Sequence, residues 1–276
     1  MLKPGSAVIL PGVANALAAR VVADCGFEAA YVTGAGIANT FLGIPDNGLV
    51  TASELVAHVA AIRDVFPGPL MVDADTGFGN ELNMRRTVQT LERAGADAIQ
   101  IEDQVFPKRC GHFEGKEVIP AREMVAKIKA AVDARTDPDL MIVARTDAIA
   151  VEGFAKAMER AHAFYEAGAD IGFVEAPTTP GQIAEIGRLP YPQLVNIVIG
   201  GKTPERSNAE LKAQGFAGVI YANTALQAAV LGMQRALGRL RQDGQMGDTS
   251  DLLANFTERQ RLVDIAAFQS MERKYK

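Results

Sequence analysis

Short β-branched runs alternate with helical stretches along this chain, and that regularity limits the fold more than any single motif does. The runs lie at 8–11, 29–33, 70–75, 98–103, 141–146, 171–176, 194–198 and 218–222. Helical patterns fill the gaps near 14–25, 52–65, 81–94, 121–135, 152–167, 180–188 and 206–214. The runs are almost continuously apolar, which fits strands buried on both faces, as in a parallel sheet. Four helices close on related phrases: Asp24-Cys25-Gly26-Phe27, Arg93-Ala94-Gly95-Ala96-Asp97, Glu166-Ala167-Gly168-Ala169-Asp170 and Lys212-Ala213-Gln214-Gly215-Phe216. Each glycine stands where a helix end calls for positive φ. Eight such units, with polar residues at every strand end, predict an α/β fold of the (β/α)8 TIM-barrel type. A doubly wound open sheet is the rival arrangement. The expected organisation is one barrel domain over about 1–242 with a helical tail over about 243–276.

The tail exceeds what an eightfold barrel needs. A helical stretch from Thr224 to Gln242 and a polar break from Asp243 to Asp251 precede a last helical stretch. Phe256, Leu262, Ile265, Ala266 and Phe268 give that end of the chain an apolar face that needs cover, from the same barrel or from a neighbouring subunit. The chain has 276 residues, 48% hydrophobic, enough for one large core. A formal net charge of −5 argues against nucleic acid as a partner. No apolar run approaches the roughly 18 residues of a membrane span. The first 24 residues lack a basic segment followed by a clean apolar one, so no signal peptide is expected. Two cysteines are too few for a disulfide framework, which fits a reducing cytoplasm. Cys25, in a helix-like stretch, is expected to be a buried small residue.

In a barrel of this kind chemistry sits at the carboxyl ends of the strands. Strand three ends Asp73-Ala74-Asp75, and alternation directs both carboxylates to one side. Strand four ends Glu102-Asp103, whose side chains point to opposite sides. Carboxylates gathered there repel one another unless a positive group lies between them. A hard divalent cation with oxygen ligands meets that need, and Arg145 is a possible protein partner. Magnesium keeps several waters, so one acid is expected to touch the ion and the rest to act through water. Asp46, in the loop Pro45-Asp46-Asn47, is a further outer ligand or a simple turn residue. Strand two ends Thr33-Gly34-Ala35-Gly36, where backbone N–H groups can approach a carboxylate or phosphate. Arg145 suits bidentate carboxylate recognition. Glu175, Asn196 and Asn223 supply more polar groups at strands six to eight. Cys110 lies between Arg109 and Gly111, close to Lys108 and His112, and positive neighbours favour its thiolate. A thiol that exchanges its proton beside a metal site can protonate a carbanion or attack a carbonyl. The long connection 104–120, with Gly111 inside it, suggests a lid closing over substrate.

With these residues assembled, nearly the whole chain resembles the isocitrate lyase/phosphoenolpyruvate mutase superfamily. The resemblance rests on Val72-Asp73-Ala74-Asp75-Thr76-Gly77-Phe78-Gly79, Ile101-Glu102-Asp103-Gln104, Lys108-Arg109-Cys110-Gly111-His112 and Ala144-Arg145-Thr146-Asp147. The cysteine motif belongs to the lyase branch, which holds 2-methylisocitrate and 2,3-dimethylmalate lyases; members acting on phosphorus–carbon bonds lack it. The resemblance implies cleavage of a 2-hydroxy di- or tricarboxylate to pyruvate or glyoxylate plus a carboxylic acid. It implies Mg²⁺, with Mn²⁺ as the alternative, held directly by Asp75 and through water by Asp46, Asp73 and Glu102. Thr33, Gly34 and Ala35 would bind the oxo-acid carboxylate. Tyr31, Arg145 and Glu175 would surround the hydroxyl, and Gly111, Asn196, Thr203 and Pro204 would line the substrate. Cys110 would protonate the carbanion, tuned by His112 and Lys108. The family also implies a homotetramer, a dimer of helix-swapped dimers.

Two departures bear on the substrate. Asn196 is followed by Ile197-Val198-Ile199-Gly200-Gly201-Lys202-Thr203-Pro204, without the glutamate typical of methylisocitrate lyases three residues on. Gln227 stands where those enzymes carry an arginine for a third carboxylate. Loss of a buried positive partner penalises a tricarboxylate by several kcal/mol, which favours a substituted malate. An oxaloacetate hydrolase, and a phosphonopyruvate- or carboxyphosphoenolpyruvate-type mutase or decarboxylase, are the alternatives on the same scaffold.

Overall fold

The structure is a computed structural model describing residues 1–111, 115–247 and 251–276. Eight parallel strands close into a barrel in sequence order. They are β1 (Val8–Val13), β2 (Ala30–Val32), β3 (Leu70–Asp73), β4 (Ala98–Glu102), β5 (Met141–Thr146), β6 (Ile171–Val174), β7 (Gln193–Asn196) and β8 (Gly218–Tyr221). The open-sheet alternative is excluded because β8 pairs with β1, Val8 opposite Gly218 and Pro11 opposite Tyr221.

Helices cover the outside: α1 (Ala16–Asp24), α2 (Gly34–Ile37), α3 (Ala52–Arg63), α4 (Glu81–Ala94), α5 (Ala121–Ala134), α6 (Ile149–Glu152), α7 (Phe154–Glu166), α8 (Pro180–Gly187) and α9 (Asn208–Ala213). Their starts are set locally. Thr51 with Glu54, Asn80 with Asn83, Thr179 with Gln182 and Ser207 with Glu210 form reciprocal capping boxes. Their ends follow the repeated phrase, since Gly26, Gly95, Gly168 and Gly215 all have positive φ. The aspartate in two of those phrases ties the helix end to the start of the preceding strand. Asp97 accepts from Leu70 N at 2.7 Å and from Arg63 Nη1 at 3.1 Å. Asp170 accepts from Ile142 N and Arg135 Nη1, both at 2.8 Å.

The strands bury both faces, as their composition requires. Val32, Val72, Ile99, Ile101 and Ile142 pack outward under the helices. Leu10, Met71, Ala98, Val143, Ile171, Leu194 and Ile220 fill the barrel interior. Higher in the same inward rows come Asp73, Gln100, Glu102 and Arg145. The register sets Asp73 opposite Gln100 and Glu102 opposite Arg145. Inward alternation thus gives way from apolar to charged side chains toward the carboxyl end.

Two local findings differ from the sequence reading, and a third refines it. The Gly34-Ala35-Gly36 stretch is a helical turn, not an open loop, because the Thr33 hydroxyl accepts from Gly36 N and starts α2. Cys25 is exposed, because it caps α1 at the surface where Gly26 reverses the chain. The tail folds as α10 (Thr224–Asp243), α11 (Phe256–Leu262) and α12 (Ile265–Tyr275). Part of it packs on its own barrel. Arg261 clamps Asp24 at the end of α1 with two 2.7 Å bonds, and Arg20 donates to Leu262 O. Its apolar face nevertheless stays largely uncovered, with Leu237, Phe256 and Phe268 each more than half exposed. Among the described residues no helix is long and apolar enough to cross a membrane.

Barrel closure leaves no room for a side chain at Gly12. A Cβ there would lie 1.9 Å from the Ala222 carbonyl oxygen on the adjoining β8 segment. Gly12→Ala is expected to cost roughly 1–3 kcal/mol or more by overpacking, read as a lower urea midpoint with unchanged slope.

Candidate active site

The carboxyl end of the barrel gathers an unusual density of buried charge. Asp46, Asp73, Asp75, Glu102, Asp147 and Glu175 are all buried there, against the cations Lys108, Lys116 and Arg145. Buried ions persist only when paired and hydrogen-bonded, so the pairing pattern defines the site.

Lys108 answers the question raised by the acid cluster. Its ammonium donates to Asp46 Oδ1 and Oδ2 at 2.7 and 2.8 Å and lies 2.9 Å from Asp75 Oδ1. Burial works against its charge, but Asp75, Glu102, Asp46 and Asp73 outweigh it and hold the ammonium protonated. The sequence reading put Lys108 beside the Cys110 thiol as a tuning charge. The side chain instead turns inward to the acids, because four carboxylates form the deeper electrostatic well. Asp73 accepts from Gln100 Nε2 at 3.2 Å and from Asp75 N at 3.3 Å. Asp75 sits at φ 48°, a left-handed conformation rare for a non-glycine residue. That turn carries its carboxylate beside that of Asp73. A Cβ on Gly34 would be 3.3 Å from oxygens of both, so the start of α2 lies directly over the pair.

Glu102 and Asp103 point to opposite sides, as alternation requires. Glu102 Oε2 lies 3.3 Å from Arg145 Nε. Its Oε1 is buried with no hydrogen-bond partner among the described residues. Asp103 faces outward and is consumed by structure: Thr146 Oγ1, Asp147 N and Arg160 Nη1 all donate to it. Arg145 donates from Nε and Nη2 to Asp147 at 2.9 and 3.1 Å, and its guanidinium lies over the Phe173 ring. Tyr31 donates to Gln100 Oε1 at 3.2 Å. Burial, with Asp73 nearby, pushes its pKa well above the ordinary phenol value, so the hydroxyl stays protonated.

The described parts of the lid, 104–111 and 115–120, fold down over this floor. Its base is closed by Val105 N to Glu117 O and Ile119 N to Asp103 O. The Gln104 side chain accepts from Arg109 N and donates to Arg109 O, mimicking a strand partner. Cys110 is half-buried, and its N–H donates to Asp46 O at 3.2 Å. Gly111 lies against Arg145 and Glu175: a Cβ there would be 2.4 Å from Arg145 Nη2 and 2.7 Å from Glu175 Oε1. His112 lies outside the described residues. Across the mouth, Asn196, Thr203 and Asn223 each bury a side-chain oxygen with no hydrogen-bond partner among the described residues, and Pro204 adjoins Thr203. Gln100 and Lys116 were not singled out from the sequence, and Gln104 and Asp147 entered only as members of motifs, without a role. Gln100 was the one detectable signal, a polar residue at an inward position of an apolar strand.

The donor set suits a hard cation. Burial pushes Asp75 up to about 6 despite Lys108, with Asp73 and Asp46 adding to the rise, and burial raises Glu102 as well. These acids remain short of positive charge, and Glu102 Oε1 is a buried oxygen awaiting a partner. Among the described residues no three acidic, histidine or cysteine groups converge on one point.

Asp147 carries a testable linkage. Burial opposes its ionisation, but Arg145 and Lys116 overcome this and hold its pKa near 2, below its ordinary 3.8. A depressed carboxylate stabilises the fold above the unfolded pKa and loses that contribution as pH falls through the folded one. Asp147→Asn strands two buried cations and is expected to cost about 3–5 kcal/mol at pH 7. In urea titrations the gap between variant and parent is expected to narrow between pH 4 and pH 2.

The sequence and the fold match known proteins over nearly the whole chain. The family model for phosphoenolpyruvate phosphomutase matches residues 1–241. The chain is 42% identical over 276 residues to 2,3-dimethylmalate lyase of Eubacterium barkeri, covering 100% of this chain and 96% of that one. It is 44% identical over 268 residues to 2-methylisocitrate lyase of Aeropyrum pernix, covering 97% and 85%. A crystal structure of 2,3-dimethylmalate lyase superposes with a TM-score of 0.93 at 35% identity, covering 99% and 91%. The closed barrel is therefore a shared framework, and the chain belongs to the phosphoenolpyruvate mutase/isocitrate lyase superfamily.

Proposed function

We propose that this chain is a divalent-metal-dependent carbon–carbon lyase that cleaves a 2-hydroxy dicarboxylate of the substituted-malate type to pyruvate or glyoxylate and a carboxylic acid. One observation carries the reading: a buried, cation-deficient acid cluster is capped by a lid whose Lys108 pairs with that cluster and whose next residue but one is Cys110. Asp75, Asp73, Asp46 and Glu102 would hold Mg²⁺ or Mn²⁺, Asp75 directly and the others through water. When bound, the ion would offset the negative charge that builds on substrate oxygens during cleavage.

The chain's own groups account for the rest. The opening N–H groups of α2, at Gly34 and Ala35 after the Thr33 cap, suit the carboxylate of the oxo-acid. Arg145 offers guanidinium N–H groups next to Glu175 at the seat of Gly111. Glu175 is the base for the 2-hydroxyl proton. Tyr31 stays protonated and so contributes a hydrogen bond, not a base. As C2–C3 breaks, the C2–O bond becomes a carbonyl and the bonding pair stays on C3 as an enolate. The Cys110 thiol gives its proton to C3. Asn196, Thr203 and Pro204 line the far side, where two buried side-chain oxygens await a partner. The substrate class rests on Gln227 and on the similarity to 2,3-dimethylmalate lyase.

The uncovered tail supports a homotetramer built from helix-swapped dimers. Leu237→Glu with Phe268→Glu is expected to reduce the assembly to smaller species by light scattering.

Activity is tested with Mg²⁺ and coupled lactate dehydrogenase on 2,3-dimethylmalate, 2-methylisocitrate, isocitrate and citramalate. Strong turnover of 2,3-dimethylmalate is expected, abolished by chelator and reduced by about 10²-fold or more in Cys110→Ala. Preference for 2-methylisocitrate would overturn the substrate argument alone. Oxalate from oxaloacetate, or turnover of phosphonopyruvate that survives Cys110→Ala, would overturn the lyase reading.

A further inference from the structure

The lid carries a second buried lysine that the reaction itself does not use. The Lys116 side chain is 1% exposed. Its ammonium donates to Gly111 O at 2.5 Å and to Asp147 Oδ1 at 2.8 Å. Asp147 is the same carboxylate that takes two bonds from Arg145, and Arg145 lies against Glu102. An unbroken polar path therefore runs from the carbonyl next to Cys110 to the guanidinium on the barrel floor. Gly111 is the point of contact, since its missing side chain lets the lid backbone rest on Arg145 and Glu175.

We propose that Lys116 is a positioning residue that locks the lid shut by holding the Gly111 carbonyl to Asp147, so fixing the Cys110 thiol over the floor. The proposal rests on the lyase reading only for what Cys110 does, not for how it is held. Lys108 and Lys116 then act from the two sides of Cys110. Lys108 binds the acids of β3 and the Asp46 loop, and Lys116 binds the acid at the end of β5. A lid held on one side alone would pivot about the other. Lys116 is the half of this clamp that does not depend on the acid cluster, so a cation bound among Asp46, Asp73, Asp75 and Glu102 would leave it in place. Arginine keeps the charge and the donors, whereas methionine keeps the length and apolar stem only.

The test reads the thiol directly. In a Cys25→Ala background Cys110 is the single thiol, and its alkylation by iodoacetamide is followed by mass spectrometry without metal or substrate. Lys116→Met is expected to raise that rate about tenfold or more, as loss of a charged buried hydrogen bond should. Lys116→Arg is expected to restore a rate near the parent's. With substrate, Lys116→Met is expected to lower kcat by more than it raises KM. An alkylation rate in Lys116→Met equal to the parent's would overturn the proposal. Should that variant not fold, hydrogen exchange on the parent decides. Amides over 105–111 are expected to exchange slowly, and exchange as fast as in an open loop would overturn it. If the parent turns over none of the hydroxy acids, the lyase reading fails while the alkylation comparison still decides the role of Lys116.

Discussion

The structure depends on one electrostatic constraint: acids buried at the carboxyl ends of β3, β4, β5 and β6 must be balanced without solvent. A carboxylate moved into a low-dielectric interior is costly unless cations and donors surround it. Here Arg145 comes from the barrel and Lys108 and Lys116 come from the lid. Lys108 and Lys116 are therefore drawn down by the acids they cover, and those acids are tolerable because the two lysines cover them. Asp46, on the loop after β2, joins the same balance through Lys108 and through its backbone bond to Cys110. Closure and charge neutralisation are one event in this geometry.

The barrel gives that event a rigid floor. Register pairs Asp73 with Gln100 and Glu102 with Arg145 on neighbouring strands, so their contacts follow from strand pairing itself. Where a strand position would not deliver the group, the chain bends. Asp75 takes positive φ just past β3, and Ala176 does so just after Glu175. Such strain persists only where the surroundings over-determine it, and both cases lie at the mouth.

Much of the fold was legible in the sequence. Eight strand runs and their helices could be placed within a few residues because apolar runs, capping residues and terminal glycines are local signals. The Glu102/Asp103 split was also legible, because alternation is a backbone property. The short helix after Thr33 was not, since glycines there read as a loop and the deciding contact is a single side-chain cap. Cys25 was misjudged because residue type alone says little about which side of a helix end faces water. The pairing of Lys116 with Asp147 escaped notice because nothing in the local sequence marks a buried ion pair 31 positions apart.

The sequence by itself determined the barrel, the order of its units and the set of acids at its mouth, since periodicity and strand-end chemistry are written along the chain. Only the tertiary structure decided how those acids are neutralised. Lys108 could have faced the thiol, the solvent or the carboxylates. The field of several buried acids from different strands made the choice, and such a field exists only once the strands are assembled.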